Sequence, residues 1–62
     1  MNDKRMTPKE VEHVYDLIAE GIDQAGEYKS DLFLAKLSLA LANLVGDAAK
    51  IASAVQSALR DL

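Results

Sequence analysis

Between positions 11 and 25 six apolar residues recur at helical spacing and form one stripe: Val11, Val14, Tyr15, Ile18, Ile22 and Ala25. That is the repeat of one helix face. The residues between them, Glu12, His13, Asp16, Glu20, Asp23 and Gln24, are polar and fall on the other side. The segment begins with a strong start signal. Thr7 can accept from a backbone N–H, Glu10 three residues later can return the bond, and Pro8 occupies the first helical position, where its missing N–H does no harm. Met6 and Val11 stand at the positions of a hydrophobic staple. Gly26 is a fitting stop. The pattern predicts a helix over about 8–25, with residues 1–6 as a flexible N-terminus. Gly21 weakens that helix by about 1 kcal/mol relative to Ala, and its place inside the stripe suggests a close approach by another helix.

A loop over 26–30 leads to a second helix over about 31–45, with Ser30 or Asp31 as its cap. Gly46 ends it and Asp47 caps a third helix, about 48–61, whose stripe is Ala48, Ile51, Ala52, Val55, Ala58, Leu59 and Leu62. So short a Gly-Asp joint predicts a sharp corner. The expected fold class is all-α: three short helices in a single domain over 7–62.

The middle helix differs from its neighbours. At about 100° per residue, Leu34, Leu37, Leu41 and Leu44 form one seam, widened by Phe33 and Val45. Leu32, Ala35, Leu39 and Ala42 form a second seam about 160° away. Lys36 and Asn43 make a narrow polar line beside the second seam, and Ser38 lies between the two. A surface helix of a globular domain has one apolar stripe, somewhat over 100° wide. A compact triangle of three helices would cover the first seam and leave much of the second in water. A flatter monomer, with one outer helix over each seam, would cover both. The second seam, Leu32, Ala35, Leu39 and Ala42, is therefore the candidate interface, and a two-fold pair of such faces would give a helical dimer.

Length strengthens that expectation. The chain has 62 residues, and a domain of that size buries only about 60% of its unfolded surface. Small domains compensate with disulfides, a metal or oligomerisation. The sequence has no cysteine and one histidine, His13, so disulfides, thiolate zinc sites and multi-histidine sites within one chain are excluded. Half the residues are apolar, which argues against intrinsic disorder. Only Tyr15, Tyr28 and Phe33 are aromatic, and the mainly Leu and Ala content, with some Val and Ile, favours helices over strands.

Charge narrows the partner. Lys4, Arg5 and Lys9 against Asp3 give residues 1–9 a charge of +2. Seven acids against Lys29 give residues 10–31 a charge of −6. Lys36, Lys50 and Arg60 against Asp47 and Asp61 give residues 32–62 a charge of +1. No basic face is available for a phosphate backbone or an anionic membrane, so neither nucleic acid nor membrane is an expected partner. The acidic side of the first helix has two readings, a dock for a basic partner or a solvated face. The stretch over 32–45 is too short to span a bilayer. Without an apolar leader at the N-terminus, the expected location is cytoplasmic.

Candidate chemistry is sparse. Glu10 and His13 have the Glu-x-x-His spacing of carboxylate-bridged di-iron bundles, but His13 faces away from the apolar stripe and a second motif is missing. Ser30-Asp31-Leu32 resembles the Asp-Ser-Leu motif of acyl carrier proteins, which attach phosphopantetheine to a serine at the start of their second helix; the order is inverted here and the chain is short for that fold. An ordinary helix cap accounts for the residues. Lys36 among leucines is read as a snorkelling side chain, Tyr15 as a core aromatic and Tyr28 as a rim one. A catalytic pocket with converging acid and base groups is hard to build in so short a chain. No cofactor, metal or enzymatic activity is expected.

The run Leu32-Phe33-Leu34-Ala35-Lys36-Leu37, followed by Leu41-Ala42-Asn43, Gly46-Asp47 and the closing Ala58-Leu59-Arg60-Asp61-Leu62, resembles a family of short proteobacterial proteins known as a domain of unknown function. The resemblance covers most of residues 10–62. Its motifs are apolar helix patterns around a Gly-Asp corner, so their specificity is modest. It implies a small stand-alone cytoplasmic protein and carries over no catalytic residue. It also implies an accessory subunit of a larger enzyme, because such proteins accompany flavin-dependent hydroxylases of aromatic catabolism. The expected function is thus self-association or protein binding through the second helix. The alternatives are an accessory or regulatory subunit, or a small-ligand binder with a pocket between protomers.

Overall fold

A computed structural model describes residues 5–60 and 62. Within them the chain is all-helical: α1 (Pro8–Ala25), α2 (Ser30–Val45) and α3 (Ala48–Arg60), with no strand. Most of the flexible segment expected over 1–6 lies outside the described residues, and so does Asp61, where α3 was expected to end.

The helix boundaries have local causes. At the start of α1 the Glu10 N–H donates to Thr7 Oγ1 at 3.2 Å, and the Thr7 N–H donates to Glu10 Oε1 at 2.8 Å. Both members of the capping box are therefore made, with Pro8 just inside. At the end of α2, Gly46 takes the left-handed conformation (φ 70°, ψ 23°) and its N–H reaches the Ala42 carbonyl at 2.9 Å. A side chain there would be strained, which explains glycine at this position. Asp47 then caps α3: its Oδ1 accepts from the Ala49 N–H at 3.0 Å and the Lys50 N–H at 3.3 Å.

The start of α2 corrects the expectation of a Ser30 or Asp31 cap. Lys29 occupies the cap position, and no side chain accepts a hydrogen bond there. The backbone enters the helix through its own turn, with the Lys29 N–H on the Gly26 carbonyl at 3.1 Å and the Phe33 N–H on the Lys29 carbonyl at 2.9 Å. Ser30 and Asp31 therefore already lie in the first turn, where the Asp31 carboxylate favours the helix dipole.

α1 and α2 pack through a glycine. A Cβ placed on Gly21 would fall within 3.0 Å of three Phe33 ring atoms. The ring thus sits on the α1 backbone, which is the close approach that Gly21 foreshadows. Around it Val14, Ile18, Ile22 and Ala25 of α1, and Phe33, Leu34 and Leu37 of α2, are half-buried. Tyr15, expected in the core, is 71% exposed. It projects from the first half of α1, which lacks cover because α3 does not reach it: α1 touches α2, α2 touches α3, and α1 and α3 do not meet.

This arrangement is neither the compact triangle nor the flat monomer with both seams covered. Only the first half of the first seam is used by α1, and Leu41, Leu44 and Val45 stay exposed. Along the α3 stripe only Ile51 is half-buried among the described residues. None of the described residues is fully buried. The accessible surface is 5864 Å², against about 3,900 Å² for a compact protein of this mass. The radius of gyration is 13.0 Å, against about 10.5 Å for a compact chain of this length.

Two substitutions test the packing. Gly21→Ala raises helix propensity but must displace the Phe33 ring; we expect a net loss of about 1–3 kcal/mol, read as a lower thermal midpoint by circular dichroism. Asp47→Ala leaves two amide donors of α3 unpaired and is expected to cost about 0.5–2 kcal/mol in a urea titration.

Candidate functional site

The residues singled out on the second seam are brought to one side of α2, and three of the four are free. Leu32 is 58% exposed and Leu39 72% exposed. Ala35 between them is exposed as well. Ala42 departs from the expectation: it is half-buried, because the chain turns at Gly46 and returns Ile51 to its side. The surface therefore runs from Leu32 to Leu39 and stops at the α2–α3 corner.

A second open face was not anticipated. On the other side of α2, Leu44 is 82% exposed, and Leu41 and Val45 are also exposed. Leu41 and Val45, together with Val55 and Ala58 of α3, border a groove of about 370 Å³ between the two helices. Its one side-chain hydroxyl, on Ser38, donates to the Leu34 carbonyl at 2.7 Å and so presents no free donor. A shallower hollow of about 400 Å³ lies behind the corner, between Leu39 and Ile51. Its only ionisable lining residue, Asp47, already accepts two backbone amides. Both are open hollows in apolar surface. Neither gathers an acid and a base.

Of the polar candidates, Glu10 and His13 line one open hollow of about 440 Å³ with Lys9 on α1, and Ser30 and Lys36 line other hollows. Glu10 Oε1 is held by the Thr7 amide, and His13 is exposed beside it on α1. Among the described residues no three His, Cys, Asp or Glu side chains come together as a metal site. Ser30 is half-buried in the first turn of α2, and Lys36 is exposed. No described helix is long and apolar enough to cross a membrane.

Comparison with protein-family models, curated proteins and solved structures returns no match for this chain. The assignment of a role therefore rests on the surface itself. What α2 and α3 offer is exposed apolar area, a character suited to helix packing.

The Glu10–His13 pair gives a simple check. With Glu10 engaged in the cap, zinc is expected to shift the thermal midpoint of the parent by no more than that of His13→Ala. A zinc-dependent rise confined to the parent would show that the pair does hold metal.

Proposed function

We propose that this protein is a non-catalytic association module whose first partner is a second copy of itself, engaged through the Leu32–Ala35–Leu39 face of α2. The observation that carries the reading is Leu39. It is a leucine in the middle of a central helix, and its own chain leaves it 72% exposed. Covering Leu32 and Leu39 would gain about 1.5–3 kcal/mol for each leucine fully withdrawn from water. Ala35, with its small side chain, lets a facing helix come close between them.

Area supports a second copy. The chain exposes about 1,900–2,000 Å² more than a compact protein of its mass would. That excess is more than the roughly 800 Å² that an ordinary interface withdraws from each partner. Charge agrees. Residues 10–31 carry −6 and residues 32–62 carry +1, so two copies repel least when they meet through α2 and α3 and keep their α1 faces apart.

Sedimentation velocity across two decades of protein concentration tests the reading. The parent is expected to be a dimer that dissociates on dilution. Leu39→Lys should weaken the dimer at least tenfold, about 1.4 kcal/mol, while Lys50→Glu on the polar side of α3 should leave it intact. A parent that stays monomeric at every concentration overturns the proposal, and a larger enzyme or a small ligand then becomes the partner to seek. A parent dimer equally tolerant of both substitutions removes this face of α2 from the interface.

A further inference from the structure

Two lysines are placed differently from the others. Lys9 has Glu12 three residues on, and Lys50 has Asp47 three residues back, a spacing at which side chains on one helix face can pair. Lys29 and Lys36 have no such acid. The residues three and four away from them are Ala25, Gly26, Leu32, Phe33, Leu39 and Ala40. Asp31 lies between the two in sequence but is turned well over 100° away from both on the helix. Among the described residues neither ammonium group makes a hydrogen bond.

Both lysines border one hollow of about 420 Å³, in the angle between the end of α1 and the first turns of α2. Ala25, Leu32, Phe33 and Leu37 form the rest of its lining. Its charge sets it apart. The hollow on α1 includes the Glu10 carboxylate beside Lys9. The one behind the corner includes Asp47, and the one beside Gly26 includes Asp23 and Glu27. The α2–α3 groove has no charged lining. At Lys29 and Lys36 cations meet apolar groups with no acid among them, in a chain whose net charge is −3.

We infer that this hollow binds a small anionic amphiphile, a monocarboxylate with an aliphatic tail. The tail lies on Leu32, Phe33 and Leu37, and the carboxylate sits between the two ammonium groups. Lys29 and Lys36 stand about 10 Å apart along the helix axis, and each side chain is long enough to bring its charge to a head group placed between them. An exposed ion pair is weak by itself, so an inorganic anion lacks the holding power. The apolar floor supplies the remainder by withdrawing methylene groups from water. That floor is an open strip along two helical turns, which a flexible chain can follow, and the volume is within the range of small-molecule sites, about 300–1,000 Å³. Leu32 also belongs to the face proposed for self-association, so a bound ligand and a second copy compete for it, and pairing lowers the apparent affinity without abolishing it.

Sodium decanoate, titrated into the full-length protein below its micelle concentration and followed by amide NMR, tests the site. We expect saturable shifts centred on Leu32, Phe33, Lys36 and Leu37. The Lys29→Gln, Lys36→Gln double variant should bind about fivefold more weakly or worse, the loss of two exposed ion pairs, while Lys9→Gln binds as the parent does. Both lysines are exposed, and circular dichroism would show the double variant as helical as the parent. Decyltrimethylammonium, with the same tail and the opposite charge, should not saturate the same amides. Its equal binding there would show that the hollow reads only apolar area, and would overturn the proposal. So would decanoate shifts that scatter over α3 or never saturate, or co-sedimentation with anionic phospholipid vesicles without decanoate binding. The oligomeric state is decided separately by sedimentation. Saturable binding by a monomeric parent leaves this site standing while the pairing fails, and a dimer without saturable binding does the reverse.

Discussion

The Phe33 ring lies directly against the bare backbone of Gly21, with no room for a Cβ between the two helices. It fixes α1 against the first half of α2 and directs the half-buried residues Ile18, Ile22, Leu34 and Leu37 toward a shared face. Because α1 is spent on that half, the second half of α2 is left to α3. α3 in turn is constrained by the corner at Gly46 and Asp47, which leads it away after Ile51. The middle helix thus serves two neighbours in succession along its length. In a closed bundle it would serve both at once, and the exposed leucines follow from that difference.

A chain in which no described residue is fully buried still has well-formed helix ends, and the two facts belong to different levels of organisation. Capping by Thr7, Gly46 and Asp47 satisfies backbone groups locally and requires no partner. Apolar burial requires a second surface. Local signals can therefore specify three helices at these positions while the hydrophobic term, the main favourable contribution to folding, remains largely unclaimed. Helices of 13 to 18 residues are marginal in water without packing. That unclaimed contribution is what the proposed pairing would supply.

Much of this was legible in the sequence, and the legible parts are those set by short-range chemistry. The extent of α1, the close approach at Gly21, the stop at Gly46 and the cap at Asp47 all follow from residues within a turn or two of one another. The dispersal of leucine around α2 was equally readable, and Leu32, Ala35 and Leu39 do lie open. The misses have a common cause. The Tyr15 side chain, the first-seam residues Leu41 and Leu44, and Ala42 were misplaced because their exposure depends on the direction in which α3 leaves the corner. A two-residue joint announces a sharp turn but not its direction. The groove beside Val55 and Ala58 was missed for the same reason. Its only sequence signal was a fully amphipathic third helix with no assigned surface to pack on. The first turn of α2 was misread at another scale, because a backbone turn over Gly26 to Lys29 supplied what a capping side chain was expected to supply.

The distribution of charge bears on what kind of surface can meet this one. The acids concentrate on α1 and the loop after it, while α2 and α3 are nearly neutral and apolar. A basic partner would be drawn to α1, where ion pairs at an exposed surface are screened and weak; the only large apolar side chains of α1 left exposed are Val11, Tyr15 and Leu17. A partner held by α2 and α3 must instead present apolar area of matching extent and avoid the acidic flank. A second copy satisfies both conditions without any new chemistry: it brings the same unfilled leucines, and a two-fold arrangement can set its own acidic helix on the far side. An unrelated protein could do so only by carrying an exposed apolar surface of its own, which proteins seldom leave uncovered.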